Sequence, residues 1–362
     1  MFLEKTVVII PAYKPDFKLI DTLNGLIDEG FTKVLVIDDG SGKPFEEVFE
    51  QVKCIPQCTL LRHPVNRGKG GALKTAFAYF KDNLQDFSCA VTADADGQHL
   101  PKDIKAVAEE TYSSRKVILG VRDFSSPDVP ARSKSGNRIT SAVFKIFFGM
   151  KISDTQTGLR GFPAEYINDI LSADGDRYEY ETNMLFLMNK KNIPYGEVKI
   201  ATVYIEENKS SHFRVVRDSL RIYGLIIKYL FSAVAALLID YLAFHFLNMS
   251  GVFPEIKIPG TSFILANTVA PHFIARVISS IVNYFINAKV VFKDDASKST
   301  LIKYYILAAV QFAVGAAAVA LICTFSPIDH WLFEDAVYLI VQAVIYPISF
   351  RIQHKWVFNS KK

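Results

Sequence analysis

Short apolar runs alternate with amphipathic stretches along the first two thirds of the chain. Residues 6–11, 33–37, 88–92 and 116–121 read as buried strands, and 16–29, 70–83 and 101–112 read as helices, the last opening on Pro101. This βαβ rhythm, continuing to about residue 205, predicts an α/β fold with a mostly parallel, Rossmann-like sheet and helices on both faces. Ligands of such sheets bind beyond the carboxyl ends of the strands, where the polar clusters of this chain fall.

After residue 205 the pattern changes. Val215, Val216, Leu220, Ile222, Leu225 and Ile226 interleave with Arg214, Arg217, Arg221 and Lys228, as in an amphipathic helix lying in a membrane interface. Four apolar stretches follow, at about 229–247, 263–285, 301–325 and 336–350, and each is an expected membrane span. The chain thus divides into a soluble domain over 1–212, a juxtamembrane segment over 213–228 and a four-helix transmembrane domain over 229–358.

The membrane part repeats. Lys228-Tyr229 opens the first pair of spans and Lys303-Tyr304 the second; the pairs close on Asn287-Ala288-Lys289-Val290-Val291-Phe292 and Gln353-His354-Lys355-Trp356-Val357-Phe358. Two spans per copy give both copies one orientation, a parallel repeat. Lys289, Lys293, Lys298, Lys303, Lys355 and Lys361 fall on one side with the arginines of the juxtamembrane segment, which places both termini and the soluble domain in the cytoplasm of a plasma-membrane protein. The apolar run at 6–11 is too short for a signal peptide.

A net charge of +4 gives no bulk attraction to nucleic acid. The four cysteines, Cys54, Cys58, Cys89 and Cys323, form neither a paired metal spacing nor a disulfide framework.

Three clusters at strand or helix ends carry candidate chemistry. Asp94-Ala95-Asp96-Gly97-Gln98-His99 follows a strand, and two carboxylates one residue apart can share a hard cation. Mg²⁺ or Mn²⁺ held there would bridge phosphate oxygens and carry the charge of a departing diphosphate; the alternative is a plain turn. Asp38-Asp39-Gly40-Ser41, again at a strand end, can accept hydrogen bonds from a nucleoside, or can simply make a turn. Asn66-Arg67-Gly68-Lys69-Gly70-Gly71 opens a helix, and its backbone N–H groups suit an anion. It is neither a Walker A sequence nor a dinucleotide fingerprint.

Together with Ile10-Pro11-Ala12-Tyr13, Gly120-Val121-Arg122, Arg132-Ser133-Lys134-Ser135, Asp154-Thr155-Gln156-Thr157-Gly158-Leu159-Arg160 and Tyr178-Glu179-Tyr180-Glu181, these clusters resemble the ordered motifs of family 2 glycosyltransferases with the GT-A fold. The resemblance is to the dolichol-phosphate mannose synthase and bacterial polyprenyl-phosphate glucosyltransferase branch, and covers nearly all of residues 5–215. The C-terminal part resembles the GtrA-like four-span domains. The resemblance implies that Pro11, Tyr13, Asp38, Asp39, Lys69 and Asp94 bind a nucleotide-sugar donor, and that Asp94, Asp96 and Gln98 hold the metal. It further implies that Arg122, Arg132 and Ser135 bind the phosphate of a polyprenyl acceptor, with Asp96, Arg122 and Arg132 as the catalytic set. Where the dolichol-phosphate enzymes show Ser-Lys near the membrane end, this chain has Ser211-His212, so part of the acceptor duty passes to Arg214 or Arg217. A homo-oligomer is compatible with this reading.

The expected reaction is direct inverting transfer, since a phosphate monoester is already an oxyanion near pH 7 and needs little help from a base. A processive polysaccharide synthase is the enzymatic rival, but its Gln-x-x-Arg-Trp signature is missing. A lipid-linked sugar translocase is the other, kept open by Asp240, Arg276 and Asn283 inside the spans.

Overall fold

The computed structural model describes residues 2–124, 129, 131–201, 224–252, 256–257, 264–265, 269–292, 294–325 and 331–358. Two compact units divide the chain, Met1–Ile222 and Tyr223–Lys362.

The first unit is built on a seven-stranded sheet of β1 (Thr6–Ala12), β2 (Val34–Asp38), β3 (Cys58–Arg62), β4 (Cys89–Thr92), β5 (Val117–Arg122), β6 (Arg160–Pro163) and β7 (Tyr195–Ile200), in the order β3-β2-β1-β4-β6-β5-β7. All neighbours are parallel except β6, which runs antiparallel to both β4 and β5. The continuous apolar runs become central strands: Val7 to Ile10 and Val34 to Ile37 have no exposed surface, as expected where helices cover both sheet faces.

Helices α1 (Lys18–Asp28), α2 (Glu46–Lys53), α3 (Lys69–Asn83) and α4 (Pro101–Ser114) cross between the early strands. On α1 the buried positions Leu19, Thr22, Leu23 and Leu26 recur at the three- and four-residue spacing of one helix face. Pro101 occupies the first turn of α4, where its missing N–H costs nothing, and Arg115 ends that helix in the left-handed region at φ 55°. Helices α5 (Ala131–Val143), α6 (Ile167–Leu171) and α7 (Glu179–Lys191) complete the unit.

The second unit contains α8 (Gly224–Met249), α9 (Val269–Ile286), α10 (Lys298–Phe325) and α11 (Trp331–Ile352). Among the described residues two segments are long and apolar enough to cross a membrane, Ile227–Leu247 and Phe273–Val291. α10 and α11, as apolar in composition as α9, stand where the third and fourth spans are expected. Within the second expected span, Ile264–Leu265 pairs with Ile256–Lys257 as a small antiparallel ribbon, and α9 runs from Val269. On α8, Phe231, Leu237, Leu238, Leu242 and Phe246 are exposed, a surface suited to lipid rather than to water.

The sequence repeat is realised in space. Each copy closes on a π-helical turn, Asn287–Val291 in the first and Gln353–Val357 in the second. The Tyr229 ring meets Phe350 at 4.9 Å and Phe292 at 6.1 Å; Tyr304, its counterpart, meets Tyr284 at 5.5 Å and Phe358 at 6.4 Å. Each tyrosine therefore packs on its own copy's closing phenylalanine and on the last helix of the other copy.

Candidate active site

The ends of β1 and β2 are stitched together by backbone. The Asp39 N–H donates to the Ala12 carbonyl (2.8 Å), and the Lys14 N–H donates to Ser41 Oγ (2.9 Å). Pro11 and Tyr13 lie on this rim, the Tyr13 ring carrying Lys14 Nζ at 5.2 Å. Both aspartates of the second cluster are buried. Asp38 Oδ1 accepts from the Ser41 N–H at 2.9 Å.

Asp39 differs from the expectation of a carboxylate turned toward a nucleoside. Its Oδ1 contacts His63 Nδ1 (2.7 Å) and accepts from the Arg67 N–H (2.9 Å), while Oδ2 accepts from Asn66 Nδ2 (3.0 Å) and the Gly68 N–H (2.8 Å). Four partners turn this carboxylate onto the loop that leads into α3.

In the glycine-rich loop, expected to suit an anion, three backbone N–H groups have partners within the protein. The N–H groups of Arg67 and Gly68 are taken by Asp39, and the Gly71 N–H by the Asp176 carbonyl at 2.8 Å. Its glycines serve close packing. A Cβ on Gly68, which sits at φ 94°, would lie 2.5 Å from the Asp176 carbonyl oxygen, and one on Gly70 would lie 2.6 Å from Tyr180 Cβ. What the loop presents is a side chain: Lys69 Nζ lies 2.7 Å from Asp94 Oδ1 and 2.9 Å from Glu181 Oε1.

Asp94 leaves the end of β4 into a cavity that it shares with Gln98, His99, Arg122, Thr157 and Gly158. The Asp94 N–H donates to His99 Nδ1 (3.0 Å), so this histidine pins the turn, and Asp96 Oδ1 accepts from the Gln98 N–H (3.1 Å). Burial works against ionisation of Asp94, but Lys69 and then His99 outweigh it and draw the carboxyl down to about 2. Asp96 moves the other way, raised by burial and then by the charge of Asp94. For Lys69 burial favours the neutral form, yet Asp94 and Glu181 overcome it and hold the ammonium charged.

Arg122, at the end of β5, is fixed by the fully buried Asp154, which accepts from its Nε at 2.7 Å and from one terminal nitrogen at 3.1 Å. This bidentate pair sets the plane of a guanidinium that lines the cavity. The loop after Asp154 is clamped by buried Arg160, which donates to the carbonyls of Thr157 (2.9 Å) and Glu181 (2.6 Å). Thr92 Oγ1 ties the same loop to β4 through the Gly158 carbonyl at 2.8 Å.

The structure thus brings Asp94, Gln98 and Arg122 around one cavity, with Lys69 paired to Asp94 and Asp96 on the same turn, while Pro11, Tyr13, Asp38 and Asp39 form the rim at β1 and β2. Ser135 is exposed on α5. The Arg132 side chain and Arg214 lie outside the described residues. Sequence reasoning gave no role to His63, His99, Gly158 or Arg160. Gly158 and Arg160 carried a signal, their place in the Asp154–Arg160 motif, as did His99 at the end of the Asp94–His99 cluster; His63 carried none.

Asp94, Asp96 and Gln98 fit a hard divalent cation as an incomplete donor set. They supply oxygen, and among the described residues no group of three His, Cys, Asp or Glu side chains could hold a metal without outside ligands. Phosphate oxygens and water would complete such a shell, as is usual for Mg²⁺.

Residues 7–171 match Glycosyl transferase family 2, and residues 228–358 match the GtrA/DPMS transmembrane domain. The UDP-N-acetylglucosamine–dolichyl-phosphate N-acetylglucosaminyltransferase of Methanococcus voltae is 30% identical over 219 residues, 55% of this chain and 86% of that enzyme. The chain is a family 2 glycosyltransferase. It is also a membrane protein by its second domain. This glycosyltransferase is 28% identical over 242 residues to the dolichyl-phosphate β-glucosyltransferase of Dictyostelium discoideum, 59% of this chain and 72% of that one. Glucosyl-3-phosphoglycerate synthase from Mycobacterium tuberculosis, solved with Mn²⁺, UDP and glucosyl-3-phosphoglycerate, aligns with a TM-score of 0.46 at 14% identity over 62% of this chain and 78% of its own.

Proposed function

We propose that this glycosyltransferase moves a hexose from a UDP- or GDP-linked donor to a polyprenyl phosphate, undecaprenyl or dolichyl, with inversion at the cytoplasmic membrane face. The observation that carries the reading is the shared cavity of Asp94, Gln98 and Arg122 at the carboxyl ends of β4 and β5. Two negatively charged substrates must meet in such a reaction, and the cavity has a carboxylate cluster suited to a cation on one side and a rigid guanidinium on the other. The dolichyl-phosphate acceptors named for the Methanococcus and Dictyostelium relatives support a lipid phosphate, as does a transmembrane domain on the same chain.

In this reading Asp94, Asp96 and Gln98 hold Mg²⁺ or Mn²⁺, which when bound neutralises the departing diphosphate. Arg122, held by Asp154, orients the acceptor phosphate, with Arg132, Ser135 and Arg214 as further contacts. The acceptor oxyanion attacks the anomeric carbon directly, so alignment and charge stabilisation do the catalysis and no general base is assigned. Asp39 acts through the loop that it holds, and Pro11, Tyr13 and Asp38 line the nucleotide. The domains run 1–212, 213–228 and 229–358, with four crossings and both termini cytoplasmic. A translocase role for the membrane unit draws on one observation: Asp240, nearly buried in α8, contacts Arg276 (3.5 Å) and accepts from Ser279 Oγ (3.0 Å).

Membranes containing the protein, supplied with undecaprenyl or dolichyl phosphate and a panel of labelled UDP- and GDP-sugars, should yield an acid-labile lipid monophosphate sugar from one donor. Asp96→Ala and excess EDTA should each nearly abolish it. A labelled product that forms without added or endogenous lipid phosphate would refute the acceptor, and full turnover in EDTA would refute the metal.

A further inference from the structure

The carboxylate best placed to hold a cation already has a cationic partner within the protein. Lys69 Nζ sits 2.7 Å from Asp94 Oδ1 and is anchored on its other side by Glu181 Oε1 at 2.9 Å. The Lys69 and Glu181 side chains are 16% and 11% exposed, and Asp94, which faces the cavity, is 31% exposed.

The backbone around the pair is built to hold it. Lys69 is the first residue of α3, immediately after Gly68, whose N–H is fixed by Asp39 (2.8 Å), and two residues before Gly71, whose N–H is fixed by Asp176 (2.8 Å). Across the slot runs Gly158, where a Cβ would come within 2.5 Å of Asp94 Oδ2 and 2.9 Å of Lys69 Nζ. That loop is held by Thr92 and Arg160. The slot therefore accommodates the ammonium and the carboxylate and no additional side-chain atom.

We propose that Lys69 is a resident counter-cation that makes divalent-metal binding conditional on the nucleotide. The inference rests on the reading of Asp94 as a metal ligand. A divalent ion entering alone must share the Asp94 carboxylate with the ammonium and sit within a few ångströms of a like charge, which is unfavourable. A nucleotide diphosphate removes the conflict. Its oxygens ligate the metal and offer Lys69 new acceptors, while Glu181 keeps the ammonium tethered nearby. The metal and the donor thus bind as a unit, and a metal-loaded site without a donor, open to adventitious phosphates, is disfavoured.

The test is Mn²⁺ binding, followed by the electron paramagnetic resonance signal of free Mn²⁺, on the full chain in detergent with no nucleotide, with UDP and with GDP. The wild-type protein should bind Mn²⁺ at least tenfold more tightly with its cognate nucleotide than alone. Lys69→Met should bind Mn²⁺ alone about ten- to a hundredfold more tightly than wild type, the equivalent of one charge-assisted contact removed from competition. Lys69→Arg, which keeps the charge, should retain weak binding without nucleotide. Equal wild-type affinity with and without nucleotide would overturn the proposal without any variant. So would Lys69→Met with an unchanged unfolding midpoint and no gain over wild type. No Mn²⁺ binding in any arm would instead refute the metal reading on which the proposal stands.

Discussion

Replacing Asp39 by asparagine distinguishes a residue that reads the nucleotide from one that builds the loop beneath it. The carboxylate accepts at both oxygens, with His63 and the Arg67 N–H on Oδ1, and Asn66 Nδ2 and the Gly68 N–H on Oδ2. Asparagine is nearly isosteric but has one acceptor and one donor end. Either amide orientation sets the NH₂ against a fixed backbone donor, the Arg67 N–H on one side or the Gly68 N–H on the other, and Asp39 is 2% exposed, so water cannot take its place. A buried donor left without its acceptor costs about 1–3 kcal/mol. For a unit of this size 1 kcal/mol moves Tm by about 2–4 °C, so Asp39→Asn should lower the first unit's midpoint by roughly 2–12 °C. The assay is thermal unfolding followed by circular dichroism, paired with a titration of donor nucleotide. Because the same loop delivers Lys69 to Asp94, turnover should fall with stability. An unchanged midpoint with a raised donor KM would refute the scaffold account and restore Asp39 to direct nucleotide contact.

Further outcomes follow from other close contacts. Gly158→Ala inserts a methyl 2.5 Å from Asp94 Oδ2; overpacking of about 1–3 kcal/mol falls on the Asp94–Lys69 pair, and kcat should drop at least tenfold in a steady-state assay while Tm moves only a few degrees. Burial pushes the Cys58 thiol up to about 11, and only the thiolate alkylates. Iodoacetamide should therefore label exposed Cys54 first, and labelling of Cys58 should rise about tenfold per pH unit between pH 7 and 9.5; a pH-independent rate would contradict its burial. For the orientation, Ser250→Cys in a cysteine-free background should react with an impermeant maleimide from outside intact cells and Ser299→Cys should not; the reverse pattern would move the active site across the membrane.

The parallel strands were legible because β1, β2, β4 and β5 are buried on both faces and therefore continuously apolar. β3 escaped notice as a half-buried strand ending on Arg62. β6, Arg160-Gly161-Phe162-Pro163, opens on an arginine and closes on a proline; its arginine is buried because loop carbonyls surround it, a tertiary circumstance that no local pattern records. The same distinction divides the site. Asp94, Asp96 and Gln98 stand together in sequence, so their chemistry could be read directly. Lys69 and Glu181 come from the starts of α3 and α7, and only the folded sheet makes them partners. The glycine-rich loop is ambiguous for a related reason: a glycine that admits a ligand and a glycine that admits a neighbouring backbone look alike in sequence. At Gly68 and Gly70, Asp176 and Tyr180 lie where a side chain would stand.

In the membrane unit the repeat predicts more of the packing than the hydropathy does. Two copies in the same orientation can be related by an axis along the membrane normal, and their first-helix tyrosines can then reach across to the other copy. Tyr229 donates to Ser349 (3.2 Å) and accepts from Gln353 Nε2 (3.0 Å), and Tyr304 accepts from Asn283 Nδ2 (2.9 Å). Asn287 and Gln353, the first residues of the two π-helical turns, meet directly at 3.2 Å. Such polar contacts hold helices together where lipid offers no hydrophobic driving force, and their duplication marks them as the architecture of the fold. The Asp240–Arg276–Ser279 contact is different. Counting from the paired tyrosines and the paired closing turns, the second copy carries Gly315, Gln342 and Ile345 at those places. A carboxylate inside a span is costly unless satisfied, and one copy packs without it. The ion pair is therefore not a requirement of the repeat's packing but a feature added to one half of it.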